Sequence, residues 1–208
     1  MSVVGGASTT GLVTRVQNII MKPAAEWDVI APEPATVAGL YTGYACILAA
    51  IPAIASILGT FLFLHWAILP IIVIAVLGYV AQLLGVFISA FVIDALAPSF
   101  GAQKNQIQAL KLTVYSATPG WVAGILTIVP ALGLLVWIAQ LYGLYILYLG
   151  LPKLMQSPQD KTVGYFVVSL IAVFVVNVII GAIIAAVTTA MVFSAVAGGA
   201  GVMGGAVH

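Results

Sequence analysis

The chain has 208 residues, of which 63% are hydrophobic and 5% are charged, and its formal net charge is +1. Soluble domains carry roughly 25% charged residues, so this composition excludes an ordinary soluble protein and predicts one that lies in a bilayer. A net charge this close to zero attracts no nucleic acid, so no nucleic-acid partner is expected. The single cysteine, Cys46, excludes an intrachain disulfide and is expected to be a small packing residue.

The first segment, residues 1–34, is predicted to be cytoplasmic and to contain a short amphipathic helix over residues 11–22. Its apolar residues share one helical face, and Arg15 and Lys22 lie on another. Such a helix either lies on the cytoplasmic leaflet or covers the cytoplasmic end of the helix bundle. Trp27 follows at the expected membrane–water boundary. The N-terminal sequence has no cleavable-signal pattern, so the first apolar run is expected to act as the insertion signal.

Three apolar blocks follow, at 35–97, 112–151 and 163–197, and none contains Lys or Arg. A spanning helix needs about 20 apolar residues. All six basic residues lie outside the blocks, at Arg15, Lys22, Lys104, Lys111, Lys153 and Lys161. Because cytoplasmic flanks collect Lys and Arg, blocks one and two are each expected to contain an even number of spans.

The resulting fold class is all-α, a polytopic membrane helix bundle with five transmembrane helices and a cytoplasmic N-terminus. The predicted spans are 36–60, 67–97, 108–129, 131–151 and 164–193. They form a transmembrane domain over 35–197, which is followed by a flexible Gly-rich tail over 198–208. His65 is expected at a turn on the far side of the membrane.

Small residues recur four positions apart in three places, "GLYTG" (39–43), "GWVAG" (120–124) and "GAIIA" (181–185). This spacing lets helix backbones approach closely in lipid. The motifs are expected to pack helices within one bundle, or else to mediate self-association or contact with other membrane proteins.

Few polar groups interrupt the spans, and they form the candidate intramembrane site. Gln82, Gln140 and Asn177 are expected to form hydrogen bonds across helices, and the adjacent Pro119 and Gly120 predict a helix kink. Broken helices can expose carbonyl groups to a substrate. No metal-ligand spacing, Ser-His-Asp set or phosphate loop is present in the sequence, so no catalytic residue, metal or cofactor is predicted.

Asp94 and Lys111 are predicted to form a structural ion pair across the loop between the second and third spans. Asp94 is near the negative end of its helix and Lys111 near the positive end of the next, so each charge would gain from the other. A lone carboxylate in water and a proton- or ion-coupling acid are the two alternatives.

The stretches "EWDVI", "DALAPSFGAQKNQIQALKLTVYSATPGWVAGILTIVPALGLL" and "LYGLYILYLGLPKLMQSP" resemble bacterial members of the Yip1 family. The resemblance implies a five-span integral membrane protein with a cytoplasmic N-terminus. Eukaryotic relatives act in vesicle traffic, bind partner membrane proteins and interact with Rab-type GTPases. This chain lacks their long N-terminal domain and their Asp-Leu-Tyr-Gly-Pro type of motif, which argues against a Rab-type partner.

The leading functional prediction is a non-enzymatic inner-membrane protein that organises membrane or partner membrane proteins in a scaffold-like role. The alternative is a small-solute permease or a transporter subunit. A water-accessible path lined by Gln82, Gln140, Asn177 and the Pro119 break would favour this alternative.

Overall fold

The computed structural model describes residues 9–64 and 68–204, and the regular structure in these ranges is helical. This confirms the all-α class. The α-helices of these ranges are α1 (Thr9–Met21), α2 (Pro23–Ile30), α3 (Val37–Leu40), α4 (Cys46–Leu64), α5 (Ile68–Leu96), α6 (Gln106–Ser116), α7 (Thr118–Ala123), α8 (Gly133–Leu154) and α9 (Gln159–Gly204).

Four helical segments of the described chain are long and apolar enough to cross a membrane. They are Val37–Phe63, Ile68–Phe100, Gly133–Leu154 and Gln159–Ala190. The first runs from α3 into α4 through a π-helical turn, Tyr41–Ala45, without interruption. These segments confirm a polytopic membrane protein and lie where four of the five spans were predicted.

The predicted third span, 108–129, is divided into α6, α7 and a 3₁₀ turn, Gly124–Ile128. The boundary between α6 and α7 lies at Ala117. Pro119 occupies the first turn of α7. Backbone N–H groups in the first turn have no acceptor within their own helix, so a proline there removes no helical hydrogen bond. The predicted kink therefore takes the form of a helix boundary just before the proline.

Close helix contacts in this region depend on glycine. An added Cβ at Gly124 would lie 2.6 Å from Cβ of Pro52 in α4, and one at Gly59 would lie 2.6 Å from the carbonyl oxygen of Ile128. The second glycine of "GWVAG" therefore packs within the bundle, as expected. The 3₁₀ turn and the second half of α4 are in backbone contact as a result.

The N-terminal helices α1 and α2 pack onto the bundle as a helical hairpin. Ile19 and Trp27 are fully buried, and the indole Nε1 of Trp27 donates to the carbonyl of Ile146 in α8 at 3.0 Å. A Cβ at Gly150 would lie 2.5 Å from the Trp27 ring. The side chain of Trp27 is thus enclosed by α8 and α6, and its position at the membrane–water boundary stays a prediction.

Arg15 and Lys22, the other predicted interfacial residues, differ in their surroundings. The Arg15 guanidinium forms ion pairs with Glu26 and Glu33, both at 2.5 Å, whereas Lys22 is exposed. Since the apolar face of α1 packs on the core, this arrangement agrees with the second alternative, a helix that covers the bundle.

The C-terminal helix α9 continues to Gly204, so most of the predicted flexible tail from residue 198 belongs to this helix. His65 and residues 205–208 lie outside the described residues. Helix α9 packs mainly along α5 and more lightly against α8.

Candidate functional site

A cavity of about 330 Å³ lies among helices α4 to α9, with Pro52 as the residue of α4 in its wall. It brings together four of the five residues predicted for the intramembrane polar and kink site. Pro119 is buried next to Gly120 but is not part of the cavity wall. The polar residues of the wall are Gln82, Ser89, Thr113, Ser116, Gln140, Ser169 and Asn177.

Gln82 ties three helices together at one side of this cavity. Its Nε2 donates to the carbonyl of Ala49 in α4 at 2.9 Å, and its Oε1 accepts from Nε1 of Trp121 in α7 at 3.0 Å. The predicted bonding across helices is thus present for Gln82. With both ends of its amide engaged, this residue holds the cavity wall in place.

Gln140 and Asn177 lie at exposed positions of α8 and α9 and have room there because glycines face them. An added Cβ at Gly120 would come within 3.2 Å of Cδ of Gln140, and one at Gly85 within 3.2 Å of Oδ1 of Asn177. Among the described residues, the Asn177 amide bonds only to its own helix, at the carbonyl of Val173. The predicted bond across helices is therefore absent at Asn177.

Two serines of the wall have unsatisfied hydroxyls. Oγ of Ser116 and Oγ of Ser169 are buried and have no hydrogen-bond partner within the described chain. Helical serines commonly bond to the carbonyl four residues earlier, and Ser89 does so at 2.6 Å. Buried polar groups without a partner are rare in native proteins and call for an explanation such as a bound molecule.

The predicted ion pair between Asp94 and Lys111 is not formed. Nζ of Lys111 donates to the carbonyls of Ile30 at 3.0 Å, Ala31 at 3.3 Å and Glu33 at 2.5 Å. The carbonyl of Ile30 is the last of α2, and those of Ala31 and Glu33 follow it. The last carbonyls of a helix have no hydrogen-bond partner within the helix, and the negative end of the helix dipole lies there. An ammonium has three protons, and the end of α2 supplies an acceptor for each.

Asp94 is 5% exposed, and its Oδ1 makes no hydrogen bond to any residue that the structure describes. No ion pair to it is found among the described residues. The alternative of a carboxylate in water is also wrong, because the side chain is buried between its own helix and its neighbours. The coupling-acid alternative stays a prediction.

Sequence reasoning did not identify the charged cluster that fixes the N-terminal hairpin. Burial acts to lower the pKa of Arg15, but the hydrogen bond and charge of Glu33 outweigh it and raise the pKa above its ordinary value. The guanidinium also lies 5.8 Å from the centre of the Tyr115 ring in α6. Three of the five acidic residues of the chain fall between 26 and 33, and this concentration was the available signal.

None of the described residues forms a His, Cys, Asp or Glu group suited to a metal ion. The geometry offers instead an uncharged, partly open cavity whose wall is mostly apolar and carries several amide and hydroxyl side chains.

The comparisons with known proteins agree with this architecture. The Yip1 domain model matches residues 18–181. The chain is 27% identical over 171 residues to inner membrane protein YohC of Escherichia coli strain K12, a match that covers 74% of this chain and 85% of the relative. YohC of Escherichia coli O6:H1 matches with the same identity and coverage. No solved structure matches the chain significantly.

The family match begins at residue 18, near the end of α1, and ends at residue 181, within α9. It includes α2, the residues that line the cavity, three of the long apolar segments and the first part of the fourth. The chain therefore belongs to the Yip1 family of multi-pass membrane proteins.

Proposed function

We propose that this protein is a non-enzymatic protein of the bacterial inner membrane that associates laterally with other membrane proteins. The observation that carries the proposal is the open face of α9 around Gly181. An added Cβ at Gly181 would meet no atom within 4 Å, whereas Gly124 of "GWVAG" is filled by Pro52. The "GAIIA" motif therefore has no packing partner among the described residues.

The surroundings of Gly181 support an external partner. In the most apolar stretch of α9, none of the residues is buried. Ile183, Phe174 and Val178 are large and exposed there. In lipid, helices associate through small residues that let backbones approach, rather than through hydrophobic surface as such. Gly181 and Ala185 supply that kind of contact on a helix that the rest of the chain covers least.

We also propose that the membrane is crossed five times and that the N-terminus is cytoplasmic. Residues near most of the basic groups meet at one end of the bundle. Lys153 pairs with Asp28 at 2.6 Å, the amide of Gln103 donates to the carbonyl of Met155, and Gly101 lies beside Pro158 and Lys161. The positive-inside rule assigns this end to the cytoplasm.

The broken segment 106–128 supplies the fifth crossing in this proposal. Its first residues follow the loop that contains Gly101, at the basic end of the bundle. Its last residues contact Gly59, in the second half of α4 and away from that end. Packing against α4, α5 and α8 would compensate for the interrupted backbone.

Affinity purification from native membranes tests the lateral association. Gly181→Leu is expected to remove the co-purifying membrane proteins, since the larger side chain keeps a partner helix from approaching. Gly78→Leu is the matched control, because Gly78 also faces open space on an apolar helix but has no small residue four positions away. Equal recovery of partners by both variants would show that α9 is not the contact surface.

A small-solute permease remains the second candidate, and the observation that favours it is the convergence of Gln82, Gln140 and Asn177 on one cavity. Uptake into vesicles containing the purified protein tests it. Transport lost on Asn177→Leu but retained on Gly181→Leu would favour the permease over the lateral association.

A further inference from the structure

None of the described residues that line the cavity carries a charged side chain. The nearby cation Lys111 has all three of its protons engaged by backbone carbonyls. Phosphate and carboxylate groups are bound in proteins by Arg and Lys or by clustered backbone amides. A ligand of this cavity is therefore expected to be uncharged.

The hydrogen-bonding groups of the wall indicate what the ligand carries. The hydroxyls of Ser116 and Ser169 are each a donor and an acceptor and are unsatisfied in the described chain. The amides of Gln140 and Asn177 lie farther out, toward the exposed surface. A hydroxyl-bearing group would match both kinds of partner, since it also donates and accepts.

The size of the cavity exceeds that of a single bound water. Its volume is about 330 Å³, and a water molecule has a share of about 30 Å³ in the liquid. This is at the lower end of pockets that hold small ligands. A group with several heavy atoms fits this space.

The mouth of the cavity opens onto an apolar surface. Gln140 is flanked by exposed Trp137 and Leu141 on α8, and Asn177 by exposed Phe174 and Val178 on α9. The contact between α8 and α9 is lighter than that between α5 and α9. An acyl chain lying between α8 and α9 would reach the bilayer while its head remained in the cavity.

We propose that the cavity binds an uncharged, hydroxyl-bearing head group. This chemistry is supplied by a neutral amphiphile such as a diacylglycerol, or by a free polyol such as glycerol. The proposal does not depend on the proposed function, because Gly181 is not part of the cavity wall.

The test uses the full chain in phosphatidylcholine nanodiscs with a diacylglycerol probe that has a photoactivatable diazirine in one acyl chain. Labelling is expected on peptides of α8 and α9 that include the mouth. The Ser116→Ala/Ser169→Ala double variant should lower labelling about tenfold, as expected for the loss of two ordinary hydrogen bonds. Ser56→Ala is the matched control, since its hydroxyl bonds within α4, at Ala53, and lies away from the cavity.

Two competing compounds, glycerol and phosphatidic acid, show which kind of molecule supplies the bound head group. Excess glycerol in the aqueous phase should reduce labelling if a free polyol is the natural occupant, and should leave it unchanged if the lipid head is. Either result supports the proposal when labelling depends on the serines. Phosphatidic acid should not compete, and competition as strong as that of unlabelled diacylglycerol would overturn the assignment to uncharged groups.

Gln140→Leu provides a second variant in case the serine double variant fails to fold. Gln140 is exposed at the mouth, so its replacement should reduce labelling without a loss of thermal stability. Equal labelling of the wild type, the cavity variants and Ser56→Ala would mean that the probe labels α8 and α9 from the surrounding bilayer. The cavity would then hold only water. That outcome would overturn the proposal.

Discussion

Lys111 is a buried cation held by backbone rather than by a carboxylate. It is 2% exposed, and its contacts join α6 to the end of α2 through three carbonyl oxygens. A buried charge is stabilised only when its hydrogen bonds are complete. Asp94 presents the opposite case, with a buried carboxylate oxygen, Oδ1, that has no partner in the described part of the chain. We therefore expect the loss of Lys111 to cost more stability than the loss of the Asp94 charge.

We expect Lys111→Met to destabilise the detergent-purified protein by about 3 kcal/mol, because the three carbonyls lose their donor. Asp94→Asn should be neutral or stabilising, since an amide is less costly to bury than a carboxylate. Thermal unfolding of each variant measures both effects. The double variant should be additive, as for residues without contact. If both single variants lost much stability and the double variant lost less than the sum, the result would support an ion pair between Asp94 and Lys111.

The ion pair between Asp94 and Lys111 was predicted wrongly because the prediction used only residues close in sequence. Asp94 lies near the end of α5, as predicted, but Lys111 lies in the middle of α6 rather than near its positive end. The acceptors that hold Lys111 come from residues 30–33, about 80 positions earlier in the chain. Local spacing contains no information on that contact. Ser116 and Ser169 were not predicted as site residues, because the sequence around a serine in an apolar helix does not show whether its hydroxyl has a partner. Gln82, Gln140 and Asn177 were identified because large amides are unusual in such helices.

At the scale of elements, the hairpin of α1 and α2 fills the groove between α6 and α8. Trp27 is its main anchor, with Gly150 beneath the ring and Tyr115 at its edge. Tyr142 of α8 adds a hydrogen bond to the carbonyl of Ile20 at 2.7 Å. The hairpin is thus part of the folded core rather than an accessory on the lipid surface.

Trp27→Ala is expected to destabilise the protein by about 3 kcal/mol, as large-to-small changes in a core do. Hydrogen exchange should become faster in α1 and α2 before it does in α5. Trp137→Ala is the control, because Trp137 is 73% exposed on the same helix that receives Trp27, and its effect should stay within about 0.5 kcal/mol. Equal losses from the two substitutions would argue against the hairpin as a core element.

The apolar helices themselves were predictable from the sequence. The predicted spans 36–60, 67–97, 131–151 and 164–193 overlap the four long apolar segments, because long uncharged runs leave no other stable arrangement in a bilayer. The segment 108–129 departed from a single helix at Ala117. Its end is set by contacts with Pro52 and Gly59 of α4, which the sequence around residue 117 does not reveal.

At the scale of the whole molecule, a topology experiment can show which end of the helix bundle faces the cytoplasm. Cys46 is the single native cysteine, so Cys46→Ser provides a background without thiols. Lys104 and Lys161 belong to the basic end, and Gly133 begins α8 at the other, with no neighbour within 4 Å of an added Cβ.

We expect Lys104→Cys and Lys161→Cys to react with a membrane-impermeant maleimide only from the cytoplasmic side, and Gly133→Cys only from outside. The reason is that Lys and Arg collect on cytoplasmic flanks. Intact cells and inside-out vesicles supply the two measurements. Labelling of Lys104→Cys and Gly133→Cys from the same face would contradict five crossings with a cytoplasmic N-terminus.

The contacts of the hairpin also have a consequence for biosynthesis. Trp27 and its acceptor Ile146 are 119 positions apart, and Ile20 and Tyr142 are 122 apart. The ribosome thus releases the hairpin long before its docking groove exists, by roughly ten seconds at bacterial elongation rates. During that interval the apolar face of α1 is exposed and resembles a surface-seeking helix. Docking of the hairpin would then be a late folding step, detectable as protease sensitivity of α1 in stalled nascent chains that end before α8.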